Sequence, residues 1–301
     1  MSRVRVRVPA SSANLGPGFD ALGLALGLHN EVVMEEDESV SVKIEGEWAT
    51  RLPRSAENVV VRGARALFEA AGRPFRGIKV TLVNRIPPGR GLGSSAAAWL
   101  GGIVGANALL GDPLPRDDIL QLAARQEGHP DNVAAALLGG LTVACRIQDK
   151  VVAISLPVPA DLRWVVLIPE LESSTAEARA VLPRTVSRED AVFNVGRACL
   201  FMGGLLAGRS DLLGLAMEDR LHQPYRRRLF PWMEAVATAA RSAGAIGCVL
   251  SGAGPSLLAV VEDGGDDVSK AMETALRQAG IRGAARILPV DRAGTVCEAT
   301  N

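Results

Sequence analysis

Between Pro88 and Ser95 the chain reads Pro-Gly-Arg-Gly-Leu-Gly-Ser-Ser, with three glycines and two serines directly ahead of an apolar, Ala- and Gly-rich segment. A loop of this kind exposes backbone N–H groups. If a helix starts behind it, those donors and the positive end of the helix dipole converge on an anion such as phosphate. It is not a Walker loop, because no Lys-Ser or Lys-Thr pair follows the last glycine, and the glycine spacing is not that of the dinucleotide fingerprint. A turn capped by Ser94 or Ser95 would use the same residues, so the glycines alone leave both readings open.

Three other segments carry groups capable of chemistry. Pro9 to Asp20 (Pro-Ala-Ser-Ser-Ala-Asn-Leu-Gly-Pro-Gly-Phe-Asp) reads as a small-residue loop leaving a strand and delivering the Asn14 amide and the Asp20 carboxylate together. Asp20 could bind or deprotonate a hydroxyl, while a tight turn in which Asn14 and Asp20 bond the backbone is the plainer alternative. Leu250 to Ser256 (Leu-Ser-Gly-Ala-Gly-Pro-Ser) reads alone as a hairpin-like turn. Glu127-Gly128-His129-Pro130-Asp131-Asn132 gathers an acid, an imidazole and an amide, although Asp131, just inside a helix start, could simply favour the helix dipole. His29 and His222 read as structural.

The elements that must position these groups follow from periodicity. Arg and Val alternate over residues 3–8, the period of a strand with one buried face, and further strands are expected near 31–34, 40–44, 78–83, 163–168 and 245–250. Helices are expected over about 58–71, 94–110, 116–127, 187–208 and 231–243, with another starting at Pro130 or Asp131. The helix behind the glycine loop is apolar nearly all round, which suits close burial against a sheet. The order of strands and helices points to α+β architecture, with an antiparallel or mixed sheet covered by helices on one side. Leu156-Pro157-Val158-Pro159 reads as a boundary, giving domains 1–158 and 159–301.

The 301 residues suffice for two domains, and 33 basic residues balance 33 acidic ones with no basic block interleaved with aromatics. Neither a nucleic-acid nor an anionic-membrane partner is expected, so the ligand should be small. No run approaches a membrane span, and residues 1–8 do not resemble a secretory signal, so a cytoplasmic location is expected. Cys145, Cys199, Cys248 and Cys297 lack zinc-site spacing and read as ordinary reduced thiols. Only Lys43, Lys79, Lys150 and Lys270 are lysines; with so many arginines, position must decide which ones matter.

Together, the segments 9–20, 87–95 and 250–256 resemble the GHMP kinase superfamily. In that superfamily an Asn-Leu-Gly-x-Gly-Phe-Asp segment, a central Pro-x-x-x-Gly-Leu-Gly-Ser-Ser loop and a C-terminal glycine-rich loop build one active site. Within it, 127–133, 174–179 and 221–226 look like the matching segments of homoserine kinases. The resemblance implies a two-domain fold, with an N-terminal ribosomal protein S5 domain 2-like part and a C-terminal ferredoxin-like α/β sandwich. It implies phosphorylation of the side-chain hydroxyl of L-homoserine by MgATP on the route to threonine. Mevalonate, diphosphocytidyl-methylerythritol or shikimate is the alternative acceptor, and a catalytically inactive ligand sensor is the more distant one. Because many relatives pair, a homodimer is also an expectation.

Residue roles follow from the same resemblance. Pro87, Pro88, Gly89, Arg90, Gly91, Leu92, Gly93, Ser94, Ser95, Ala96 and Ala97 fall on the nucleotide-binding segment, with Asn58 as an adenine contact. Ser94 or Ser95 together with Glu127 would hold Mg²⁺, since such oxygens suit a hard ion. Arg179 and Arg226 would bind the substrate carboxylate, each through two parallel hydrogen bonds. Asn14, Asp20, His129 and Asn132 would surround the amino and hydroxyl groups. Phosphoryl transfer needs charge neutralisation and in-line positioning more than a strong base. Asp20 and Asn132 are therefore assigned to orientation and Thr175 to the transferred phosphate, with Asp131 as a further catalytic candidate.

Overall fold

The computed structural model describes residues 3–300. The Arg/Val alternation forms β1 (Arg3–Asn14), in which Val4, Val6 and Val8 are fully buried and Arg3, Arg5 and Arg7 face outward. The strand does not stop at Val8. Its last residues, including Ser11 and Ser12, are buried and paired with β2 (Gly18–Glu36), so the segment expected to be a loop is mostly strand with a turn at 15–17. A register shift between Pro9 and Ala10 redirects this second half of β1. Bulges of this kind commonly re-aim a strand beside a site.

The chain continues through β3 (Val40–Gly46), α1 (Val59–Ala70), β4 (Ile78–Asn84), α2 (Ser94–Leu109), α3 (Arg116–Glu127), α4 (Asp131–Leu138), β5 (Leu141–Ile147) and β6 (Lys150–Leu156). A largely antiparallel sheet runs β11-β1-β2-β4-β3, where β11 is Val296–Ala299, and β5 and β6 join it through β2. Its apolar face packs on α1, α2 and α4, and the all-round apolar α2 is buried between the sheet and α1.

The second half comprises β7 (Arg163–Pro169), α5 (Thr175–Ala180), α6 (Arg188–Leu206), α7 (Leu213–Ala216), α8 (Gln223–Arg226), α9 (Met233–Ser242), β8 (Gly247–Leu250), β9 (Leu257–Val261), α10 (Asp266–Gln278) and β10 (Gly283–Leu288). Its antiparallel sheet has the order β10-β7-β9-β8, with α9 and α10 packed together over a separate core that includes Val165, Leu167, Val236 and Met272. That strand order, with helices on one face, is the split βαβ arrangement of ferredoxin-like domains.

The break proposed near residue 158 falls between β6 and β7, but β11 returns to pair with β1. A boundary drawn there has to give the last strand back to the first sheet. The hairpin β5–β6, the helices α5, α7 and α8 and the strands β10 and β11 are short or weakly patterned and were not expected; α10 is 13 residues long and amphipathic, with Val268, Met272 and Leu276 buried at a spacing of four, so its period was present in the sequence and was missed. Among the described residues, no helix is long and apolar enough to cross a membrane.

Candidate active site

Three backbone segments are tied to one another where the two halves meet. The Ser11 N–H donates to Leu92 O at 3.1 Å and the Gly252 N–H to Ala13 O at 3.1 Å. The Ser251 hydroxyl, fully buried, lies 2.8 Å from Ser12 Oγ and 2.6 Å from Gly91 O. End of β1, glycine loop and the β8–β9 loop therefore form one unit. Gly91 and Gly93 both have positive φ, and a Cβ on them would run into Ser251 O and Ser11 Oγ respectively. Only glycine allows both the conformation and this approach.

The loop ends on Gly93, the left-handed N-cap of α2, with no side-chain cap. The capped-turn reading thus fails: Ser94 Oγ is 3.3 Å from Ile86 O, and Ser95 Oγ donates to Glu127 Oε2 at 2.7 Å. Among the described residues, the N–H groups from Gly91 to Ala96 have no acceptor within the protein. These free donors gather at a helix N-terminus, the arrangement that binds phosphate.

The loop forms one wall of an open cleft. The opposite wall is built on strained backbone: Asn14 and Asp20 are non-glycine residues at φ 71° and 56°. Such conformations persist only where surroundings enforce them, and they cluster at functional sites. Asn14 is buried, donates to Gly252 O at 3.0 Å and accepts the Asp20 N–H at 3.1 Å. Its amide thus positions Asp20. The Asp20 carboxylate meets Arg179 of α5 in a two-bond fork at 3.0 and 2.6 Å, and that fork holds the Arg179 pKa above its usual value.

Arg226 is almost fully buried beside this pair. Its Nε donates to Ala178 O at 3.1 Å and Nη1 to Gly252 O at 2.9 Å, so much of the guanidinium holds the framework together. Burial, with the Arg179 cation nearby, pulls its pKa down to about 10. Phe19 lies under both guanidinium groups, 5.4 Å from Arg179 and 5.5 Å from Arg226, and stacks on the buried His222 at 5.3 Å. His222 Nε2 donates to Gly16 O at 2.8 Å and Nδ1 accepts from Arg226 at 3.1 Å. Burial, aided by Arg226, lowers the His222 pKa and keeps the ring neutral. The structural reading of His222 holds, but the ring backs the site directly.

The acidic group forms the third side. Glu127 ends α3, His129 follows the left-handed Gly128 C-cap, and Asp131 opens α4. Burial raises the Glu127 pKa against the opposing hydrogen bond from Ser95. His129 is affected most by burial, which would lower its pKa, but the hydrogen bond to Asp131 and the charges of Asp131 and Glu127 outweigh it and the net direction is up. Asp131 Oδ1 accepts from His129 Nδ1 at 3.0 Å and from the Asn132 N–H at 2.8 Å. Asp131 Oδ1 therefore holds both His129 and the helix start. Asn132 Nδ2 is 2.9 Å from Ser11 Oγ, and Thr175, the first residue of α5, lines the cleft opposite.

The cleft brings together Asn14, Asp20, Gly89 to Ser95, Glu127, His129, Asp131, Asn132, Thr175, Arg179 and Arg226. Asn58, Pro87, Pro88, Ala96 and Ala97 do not line it. Asn58 is buried as the N-cap of α1, accepting the Val60 N–H at 3.0 Å and donating to Pro53 O at 2.7 Å, so its side chain is already satisfied. Arg90 lines the cleft, but its guanidinium turns to Pro169 O and Pro88 O and sits 4.1 Å from the Trp48 ring, bracing the loop. Phe19, His222 and Ser251 carry no site role in the sequence-based assignment, although Phe19 and Ser251 lie within its motifs and His222 is expected to be structural. The available signal was Phe19 itself, a lone aromatic in a segment of small residues.

Family models for the GHMP kinases N terminal domain and the GHMP kinases C terminal match residues 58–140 and 201–278. The homoserine kinase of Moorella thermoacetica is 47% identical over 277 residues, covering 92% of this chain and 94% of that relative. The homoserine kinase of Persephonella marina is 42% identical over 299 residues, 99% of each. The crystal structure of homoserine kinase from Cytophaga hutchinsonii superposes with a TM-score of 0.89 at 32% identity, over 99% of this chain and 98% of that one. With both halves matched and full-length relatives of one kind, the chain belongs to the homoserine kinases of the GHMP kinase superfamily.

Proposed function

We infer that this chain transfers the γ-phosphoryl group of ATP to the side-chain hydroxyl of L-homoserine, giving O-phospho-L-homoserine for threonine synthesis. The observation that carries this reading is the Asp20–Arg179 fork, backed by Arg226, in the same cleft as the open amides of Gly91 to Ala96. An α-amino acid zwitterion presents both charges that the pair already matches, so its carboxylate can take Arg179 and its ammonium Asp20 with little loss of charge balance. Arg226 adds a second cation at the carboxylate end. Its framework bonds keep that cation fixed.

The triphosphate would lie on the loop amides and the N-terminus of α2, with its terminal group toward Thr175. Ser95 Oγ and Glu127 fit a Mg²⁺ ion: they are hard oxygen donors 2.7 Å apart that both line the cleft. Bound there, the ion would supply charge neutralisation for the phosphates. Asp20, held by Asn14 and Arg179, and Asn132, held by Ser11, orient the substrate. Asp20 is held in the fork with Arg179 and Asp131 Oδ1 by His129 and the Asn132 N–H, in keeping with a reaction driven by positioning. The four free thiols accord with a cytoplasmic setting.

An ADP-coupled assay with L-homoserine, mevalonate and shikimate tests the acceptor. Turnover of homoserine alone is expected, and turnover of mevalonate without homoserine would overturn the assignment. ATP binding with no ADP formed from any acceptor would make the protein a sensor.

A further inference from the structure

Arg226 offers the cleft only part of its guanidinium. Nε donates to Ala178 O at 3.1 Å, and the two N–H groups of Nη1 go to Gly252 O at 2.9 Å and His222 Nδ1 at 3.1 Å. Among the described residues, Nη2 has no acceptor, although Arg226 is 2% exposed and lines the cleft. The guanidinium is a rigid planar fork, so bonds that fix Nε and Nη1 also fix where Nη2 points. Two of those bonds end on backbone carbonyls, of α5 and of the β8–β9 loop. The third ends on the His222 ring.

The partners of His222 assign its tautomer. Gly16 O can only accept, so Nε2, 2.8 Å away, carries the ring proton; Arg226 can only donate, so Nδ1 is the bare acceptor. A second proton, on Nδ1, would remove the bond to Arg226 and set two cations against each other. Burial, joined by Arg226, keeps the ring neutral against the pull of Asp219 and Asp20. The ring has little freedom to turn: it is fully buried and stacks on Phe19 with 27° between the planes. Its backbone is held as well, because the buried Asp219 carboxylate accepts the His222 and Gln223 N–H groups at 3.0 and 2.7 Å. Packing alone does not need an imidazole here. A leucine would fill the space against Phe19 but leave an Arg226 N–H without an acceptor.

We propose that His222 is a positioning residue for the phosphoryl acceptor: its neutral ring, braced on Gly16 O, takes one arm of Arg226 and so turns the free Nη2 toward the substrate carboxylate. The proposal rests on the reading that places this carboxylate at Arg226, and it assigns the aim of that cation to a residue that does not line the cleft. His222 acts through Arg226 and never touches substrate. Gly16 belongs to the turn between Asn14 and Asp20, so one ring ties the cation at the carboxylate end to the segment that carries Asp20. Small errors in such an alignment are costly for binding and rate.

Steady-state kinetics of His222→Leu, His222→Asn, Arg226→Ala and the double variant His222→Leu/Arg226→Ala test the proposal. In His222→Leu the KM for homoserine is expected to rise about tenfold or more, with kcat and the KM for ATP within about threefold of the parent's. His222→Asn, whose Oδ1 can take the place of Nδ1, should recover most of that loss. In the double variant the KM for homoserine should equal that of Arg226→Ala alone, because His222 acts only through that guanidinium. Should the leucine protein fail to fold in a circular dichroism melt, His222→Phe, which keeps a ring on Phe19 and lacks the acceptor, takes its place. Three results would overturn the proposal and make His222 a packing residue: equal losses in kcat and both KM values, no recovery in His222→Asn, or effects of His222→Leu and Arg226→Ala that multiply in the double variant. A KM for homoserine unchanged in Arg226→Ala would overturn it differently, by removing the carboxylate from Arg226.

Discussion

Asp20 and Arg179 neutralise each other across the cleft while Arg226 is spent largely on the framework, so their substitutions should separate. Arg179→Ala removes a charged partner of the substrate carboxylate, and the KM for homoserine is expected to rise by roughly 30- to 100-fold, about 2–3 kcal/mol, with the KM for ATP little changed. Arg226→Ala should raise the same KM and also lower the melting temperature, because Ala178 O and Gly252 O lose a buried donor. Asp20→Asn keeps the shape but breaks the fork, and steady-state kinetics should show reduced turnover. His129 offers a pH test: its folded pKa lies above the ordinary value near 6.5. A raised value means stabilisation fully present below about pH 6.5 and lost as pH rises through the folded pKa. In urea titrations the stability difference between the parent and His129→Asn should therefore narrow above neutral pH. Glu127 is raised as an acid, so its ionisation costs the empty site stability as pH rises through its folded value. Glu127→Gln should leave the apo protein at pH 7 as stable or more so, while the Mg²⁺ needed for half-maximal rate rises by about tenfold or more.

At the level of elements, the site depends on the joint between the β1 end, the glycine loop and the β8–β9 loop. Gly91→Ala forces a side chain onto Ser251 O at positive φ. A loss of about 1–3 kcal/mol from the strained backbone alone is expected, seen as a lower melting temperature and loss of ATP affinity. Ser251→Ala is milder, stranding Gly91 O and Ser12, and should cost about 1–3 kcal/mol with a raised KM for ATP. The glycine pattern, the apolar α2 and the Pro130–Asp131 helix start were legible because each has a local physical cause: open φ, period, or a residue suited to the first turn. That β1 runs on to Asn14 was not legible. Small residues such as Ser11 and Ser12 have weak strand preference, and the pairing that buries them comes from β2. For the same reason Asn58 reads from the motif as a ligand contact, yet the fold gives its amide to a helix cap.

Across the whole molecule, the last strand closes the first sheet, and a strap from Pro289 to Asp291 runs beside β2. Asp291 accepts from His29 at 2.6 Å and from the Ala293 and Gly294 N–H groups at 3.0 and 2.7 Å, and Gly27 donates to Pro289 O at 2.8 Å. Asp291→Ala should lower stability by about 1–3 kcal/mol in denaturant titrations and leave both KM values near the parent's, since the strap lies away from the cleft. Long-range closure of this kind leaves no local mark in the chain, which is why the boundary near residue 158 looked cleaner than the topology is. What the amino-acid sequence determined by itself is the set of chemical groups and their local geometry: the left-handed glycines of the loop, the helix behind it, and the ordered motifs that mark a homoserine kinase. Only the tertiary structure decided which donors are free and which are occupied. Ser95 rather than Ser94 meets Glu127, Arg90 turns away to Trp48, and Asn14 acts on Asp20. Each of those outcomes rests on a partner distant in sequence, and hydrogen-bond partners across a fold cannot be read from residue type or spacing along one segment.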